Sequence, residues 1–202
     1  MPAKNVTFPF DMEKAVAALA FFASEADGED GRVTELTRGK ASKLMFLADK
    51  HHLVKYGRPI FGGEYRAIKK GPVAQEVLDH LQSMIDGQEN EYVEMLKKYI
   101  ALDSRFEHPR LKSCQSPDTA VLATTELASI RHIIALYGKK TFGELTLLTH
   151  EMAAYKKAWG DGTVSMVVMN YEDFFEDDPD AIKGAFDEMV ADFKLRSALG
   201  KL

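Results

Sequence analysis

The sequence predicts a mainly α-helical protein, a single compact domain with a small antiparallel β element. Three observations carry this. Apolar residues recur at three- and four-residue spacing in successive segments, most of them bounded by a capping residue or a glycine. Only one stretch, 64–68, alternates with period two between turn-forming residues. The chain also has 202 residues, 46% of them hydrophobic. That is enough to bury roughly 70% of the unfolded surface as one unit, and no Pro-, Gly- or Ser-rich linker or internal repeat divides it.

Asp11 caps a first helix that runs to about Ala26, with Val16, Leu19, Phe22 and Ala23 on one face, and the Gly28-Glu29-Asp30-Gly31 turn ends it. Thr37 or Ser42 starts a second helix, with Leu44, Leu47, His51 and Val54 in one stripe and Gly57 as its left-handed stop. Residues 58–63 form a turn, and 64–68 a short strand that points Tyr65 and Arg66 to opposite sides. Gly71-Pro72 then opens a third helix, because a proline at the first helical position needs no amide hydrogen; Val73, Val77, Leu78, Leu81 and Ile85 are its buried face. Residues 87–116 read as a short helix followed by a hairpin of 99–102 and 110–113. Leu127, Ile130, Ile133, Ile134 and Tyr137 define a helix stopped by Gly138. Thr141 and Glu144 have capping-box spacing, so 142–157 is expected to be one helix facing inward with Leu145, Leu148, Met152 and Tyr155. Residues 163–169 are expected to be extended, without a partner strand. Asp178-Pro179 opens a last helix whose Ile182, Phe186, Met189, Val190 and Phe193 form either a core layer or an appended arm.

The net charge of -5 argues against a general polyanion binder. Its distribution is uneven. Residues 161–202 hold ten acids and four bases, leaving the rest at +1, while 40–70 holds eight bases against Asp49 and Glu64. Such opposed regions either attract each other within the monomer or dock a charged partner. Cys114, the one cysteine, forms no intrachain disulfide, and no apolar run approaches the ~20 residues of a membrane span, so a cytoplasmic location is expected.

Catalytic and metal motifs are incomplete. His150-Glu151 has Ala154 where a zincin helix needs its second histidine. His51 and His52 are adjacent and diverge by about 100° on a helix, so they cannot share one ion. Gly138-Lys139-Lys140-Thr141 lacks both the spacing and the earlier glycine of a phosphate loop. No catalytic, cofactor or metal site is expected.

The segment 43–81 is the most distinctive. Lys43, Asp49 and His52 precede Gly57-Arg58-Pro59, then come Tyr65, Gly71-Pro72-Val73, Val77 and Leu81; Thr149-His150 lies further on, with Tyr155 after it. In this order and spacing the chain resembles the Panacea domain, a family of antitoxin-like proteins of bacterial and phage toxin–antitoxin pairs, over about residues 11–160. An acidic C-terminal extension with a helix, about 161–202, follows. Two positions depart from the family pattern: Tyr155 stands where tryptophan is usual, and Ala123 where a serine usually precedes the helix at Thr124.

The resemblance implies a non-enzymatic protein-binding module that neutralises a cognate toxin encoded beside it, by direct contact or as an adaptor to a protease; self-association stays open. The glycines, prolines and apolar residues of the motif read as fold determinants. Among its polar residues, Asp49 is expected to pair with Arg58 or Lys43, and His150 to bond backbone. Arg58, Tyr65, Arg66, Lys69 and Lys70 are the candidate partner contacts. Two rival readings use the same residues: a nucleic-acid-binding regulator built on 40–70, and a hydrolase built on Asp49, His52 and His150.

Overall fold

The computed structural model describes residues 6–178 and, beyond them, positions 184, 187, 188, 190, 191, 194 and 195. The fold is mainly α with minor antiparallel β. Helix α1 (Met12–Asp27) starts where Asp11 accepts the Lys14 amide at 3.1 Å. Helix α2 (Arg38–Tyr56) is capped by Thr37 and stopped by Gly57 in the left-handed region, φ +78°. It is central, packing against α1 and five elements defined below, and every residue from Lys40 to Asp49 is buried. A single apolar stripe therefore understates it: the polar residues between the leucines are buried as well.

Strand β1 (Tyr65–Ile68) forms a hairpin with β2 (Gly71–Ala74), Tyr65 opposite Ala74 and Ile68 opposite Gly71. This corrects the expectation that Pro72 opens a helix. Lys69-Lys70 is a two-residue turn closed by Gly71 at φ +95°, and Ser42 Oγ accepts the Ala74 amide at 2.9 Å, so the chain stays extended until α3 (Gln75–Ile85) begins. Proline is tolerated because β2 is an edge strand of the sheet. Val77, Leu81 and Met84 are the buried face of α3, while Leu78 and Ile85 are only partly covered.

Helix α4 (Glu91–Tyr99) and the hairpin of β3 (Ile100–Asp103) with β4 (Arg110–Ser113) follow as expected. Helix α5 (Thr124–Tyr137) ends at Gly138, which is right-handed, φ -58°. Glycine is needed there for room: an added Cβ would collide with the Arg32 and Ile134 carbonyls.

The single helix expected over 142–157 is two, α6 (Phe142–His150) and α7 (Ala153–Trp159). Thr141 and Glu144 do form the capping box at its start. The break follows from the Ala153 amide, which donates to Asp177 Oδ1 at 2.8 Å rather than to a carbonyl one turn back. Strand β5 (Met166–Val168) corrects the unpartnered reading of 163–169, pairing antiparallel with β1 to give the order β2-β1-β5. A 3₁₀ helix, Tyr171–Phe175, then delivers Tyr171, Phe174 and Phe175 to the core, where Phe174 meets the rings of Phe46 and Tyr65 edge-on. Each such side chain contributes ~1.5–3 kcal/mol of burial before entropy is subtracted. Of the expected last helix, Ile182, Phe186, Met189 and Phe193 lie outside the described residues; Val190 is buried.

Candidate interaction surface

Four titratable side chains of α2 enter the interior: Lys40, Lys43, Asp49 and His52. Buried charge survives only with partners, and here the partners are largely the backbone of neighbouring segments. Lys40 Nζ donates to the carbonyls of Thr34 and, at 2.8 Å, Gly138. Lys43 Nζ donates to the Lys70 carbonyl at 2.6 Å and lies 3.5 Å from that of Pro72. Burial pulls both ammonium groups down to about 8. Asp49 accepts the amides of Ile60, Phe61 and Gly62 at 2.6, 2.8 and 3.0 Å and the Tyr65 hydroxyl at 2.7 Å. Burial pushes its carboxyl up to about 7 against the pull of those donors. His52 Nδ1 sits 2.7 Å from the Arg58 carbonyl and Nε2 3.2 Å from Thr125 Oγ1, which assigns the proton to Nδ1. Burial lowers its pKa.

In the turn after Gly57 the amides of 60–62 face inward to Asp49 and residues 59–62 are buried, while Arg58 is exposed. There Arg58 and Pro59 form one wall of an open groove of about 720 Å³; Phe8 and Phe10 before α1, and Tyr92 and Met95 of α4, form the others. Tyr92 is 42% exposed and stacks on His80 with ring centroids 4.3 Å apart. The Arg58 guanidinium is 3.5 Å from the buried Glu126, which also accepts Lys14 Nζ and the Ala123 amide, each at 2.8 Å. Burial opposes ionisation of Glu126, but the Lys14 and Ala123 hydrogen bonds and the two cations outweigh it and hold the carboxyl below its usual value. The remaining charges of the groove, Asp11, Glu13 and Glu91, are acidic.

The other expected contacts lie at the β1–β2 hairpin. Lys69 and Lys70 are exposed at its tip, and Arg66 pairs with Glu64 and lies 3.0 Å from Met166 Sδ. Tyr65 is withdrawn from this surface: it is 1% exposed, with its hydroxyl committed to Asp49. Pro72 and Val73 are buried in β2. Gly71 is hemmed in by Lys43 Nζ and Thr149 Oγ1, 2.6 and 2.8 Å from where a Cβ would stand. Thr149 bonds the Leu145 carbonyl, and His150 stacks flat on Tyr155 at 4.6 Å, whose hydroxyl reaches the Ile68 carbonyl. Burial and the Lys43 charge lower the His150 pKa; the backbone of Lys69 and the charge of Glu151 act the other way.

The ion pair expected of Asp49 with Arg58 or Lys43 is replaced by backbone amides and Glu126. His52 and His150 have separate partners, Arg58 and Thr125 in one case and Tyr155 in the other, and share none of them, unlike a hydrolase site built on both. Among the described residues no group of three or more His, Cys, Asp or Glu is placed to hold a metal. Sequence reasoning missed Phe8, Phe10, Tyr92, Met95 and Glu126. The signals were present: Phe8-Pro9-Phe10 ahead of the Asp11 cap, and a glutamate three residues after Ala123.

The family model described as "Antitoxin SocA-like, Panacea domain" matches residues 42–156, more than half of the chain. The chain belongs to this family. No curated protein and no solved structure matches it. In this Panacea-domain protein the matched segment runs from within α2 to α7, so Lys43, Asp49 and His52 lie within it, while Phe8, Phe10, Lys40 and β5 lie outside. Membership supports an antitoxin-type role and implies a toxin as partner in general. Among the described residues no helix is long and apolar enough to cross a membrane.

Proposed function

We propose that this protein neutralises a cognate toxin by binding it directly, as a non-enzymatic module, with the groove between Arg58-Pro59 and α4 as the contact surface. One observation carries the reading. The chain just after the family-typical Gly57-Arg58-Pro59 is fixed from within by Asp49, and Arg58 and Pro59 line a cleft with the exposed Tyr92 and the half-buried Phe8, Phe10 and Met95. Rigid turns beside apolar side chains suit a protein partner, because little ordering is left to be lost on binding.

The same geometry gives the nucleic-acid reading less support. Of the bases in 40–70, Lys40 and Lys43 are buried, and Lys50, Arg58 and Arg66 pair with Asp177, Glu126 and Glu64. Few cations are then left to meet phosphates. Three acids of the 161–202 region are likewise paired: Asp173 and Glu176 with Lys157, and Asp177 with Lys50.

Co-induction with the product of the adjacent reading frame tests the proposal. The expected result is restored growth and a stoichiometric complex, with Tyr92→Asp weakening the complex while leaving the melting temperature unchanged. Rescue without measurable association would overturn direct binding in favour of control of toxin expression. Rescue accompanied by disappearance of the toxin would favour delivery to a protease.

A further inference from the structure

A second cleft, of about 590 Å³, lies on another part of the surface, between α1, α5 and the link from Gly138 to α6. Its floor is apolar, with Ile134 and Phe21 buried and Leu136 51% exposed. Its charge is opposite in sign to that of the groove. Arg131, Lys139 and Lys140 line it, and among the described residues none of the three forms a salt bridge. The acids present are already engaged: Glu25 pairs with Arg32, and Glu144 closes the capping box on Thr141 and feels the charge of Lys140.

Ordinary helix chemistry does not account for these cations. Arg131 has Leu127 and Ala128 one turn before it and Ile134 and Ala135 one turn after, so no carboxylate sits at ion-pairing spacing on α5. Its guanidinium lies over the Phe21 ring, 5.7 Å from the centroid, which holds it across the cleft. The carbonyls at the end of α5 have their own donors: Gly138 N on Ile134, Lys140 N on Tyr137, and Thr34 N with Lys40 Nζ on Gly138. Lys139 and Lys140 are therefore not needed to satisfy them.

We infer that this cleft docks an acidic segment of a protein partner, seating a large apolar side chain against Leu136 and Phe21 while its carboxylates meet Arg131, Lys139 and Lys140. Charge complementarity selects the occupant. The four cations of the lining outnumber its two carboxylates, and that excess around an apolar floor matches a short peptide that carries both carboxylates and a hydrophobic side chain, each such hydrogen bond being charge-assisted. A nucleic acid fits less well. Asp27 ends α1 and Glu29, Asp30 and Glu35 follow it, and the chain as a whole is at -5, so an extended phosphate backbone would be repelled beyond the cleft. The inference rests on the reading that the partner is a protein, but not on which surface binds the toxin first.

The experiment uses the full chain and no toxin, so that its failure and that of the neutralisation reading are told apart. A fluorescein-labelled twelve-residue peptide of Glu and Asp with two Leu and one Phe is titrated by anisotropy. In one control the three apolar residues are replaced by Ser; the other is a single-stranded twelve-nucleotide DNA. The expected result is saturable binding of the acidic apolar peptide. It should weaken about tenfold in Arg131→Glu and in the Lys139→Glu/Lys140→Glu pair, the scale of losing one charge-assisted contact. It should be unaffected by Tyr92→Asp in the groove. Circular dichroism melts check that the variants stay folded. Equal binding of the Ser control, tighter binding of the DNA, or binding indifferent to the charge reversals would each overturn the proposal.

Discussion

Asp49 shows how a family motif residue can be indispensable without touching a partner. It joins α2 to the turn behind Arg58 through three amides and to β1 through the Tyr65 hydroxyl. Removing the acceptor leaves these donors buried without partners, at ~1–3 kcal/mol for each group left unmade. Asp49→Ala should therefore lose at least ~3 kcal/mol of unfolding free energy. Asp49→Asn should lose less, because the amide oxygen still accepts two bonds and its NH₂ group can donate to Tyr65. Urea denaturation of the three proteins checks the order; an alanine variant as stable as the asparagine one would show that the carboxylate does not organise the turn. From the sequence the residue was legible as special, but its partners were not. An ion pair is the default for a lone buried aspartate, and nothing in the spacing of Asp49 and Ile60 announces that three successive amides would turn toward it.

At the scale of elements, local signals read well wherever the element ends itself. Asp11, Thr37, Gly57 and the Thr141/Glu144 box all stand where the caps are. The signals failed where a distant segment decided. Pro72 has the look of a helix start, but β1 and Ser42 hold it in a strand; Ala153 continues a good helical pattern, but Asp177 takes its amide. β5 was illegible as a strand because its partner is about a hundred residues earlier. The start of α5 is a half-made cap that yields a prediction. Glu126 reaches back to the Ala123 amide at 2.8 Å, while Ala123 offers no oxygen to the amide of Glu126. Ala123→Ser supplies that oxygen in the extended conformation the site already has, φ -64° and ψ 156°. It should raise stability by about 1 kcal/mol. An unchanged or lower melting temperature would mean that Glu126 is too committed to Lys14 and Arg58 for a reciprocal cap to form.

The whole molecule responds to acid through its histidines, because several stand at junctions between elements. His51 stacks on His132 between α2 and α5, His80 on Tyr92 between α3 and α4, and His150 on Tyr155 between α6 and α7; His52 joins α2 to α5 through Thr125. Burial lowers the pKa of His51, to about 4, with the charges of His132, Lys55 and His52 adding to it, and burial also lowers His52, His80 and His150. A histidine lowered in the folded state binds its proton more readily when unfolded, so its contribution to stability is lost as pH falls from its unfolded value of about 6.5 toward the folded one. Asp49 works in the opposite sense. Its carboxyl is raised to about 7 by burial, so its proton is bound more tightly in the folded state and its contribution grows as pH falls from 7 toward 4. One carboxyl is set against four imidazoles. Unfolding free energy should therefore decline as pH falls from about 6.5 to 4, with all junctions loosening in one cooperative transition. His51→Gln should flatten that limb by removing the most strongly lowered imidazole, and Asp49→Asn should steepen it by removing the opposing group. Urea midpoints at several pH values across this window measure the slopes. If the wild-type slope has the opposite sign, or if the two variants change it in the same direction, the balance of lowered imidazoles against the raised Asp49 carboxyl does not set the acid response of this fold.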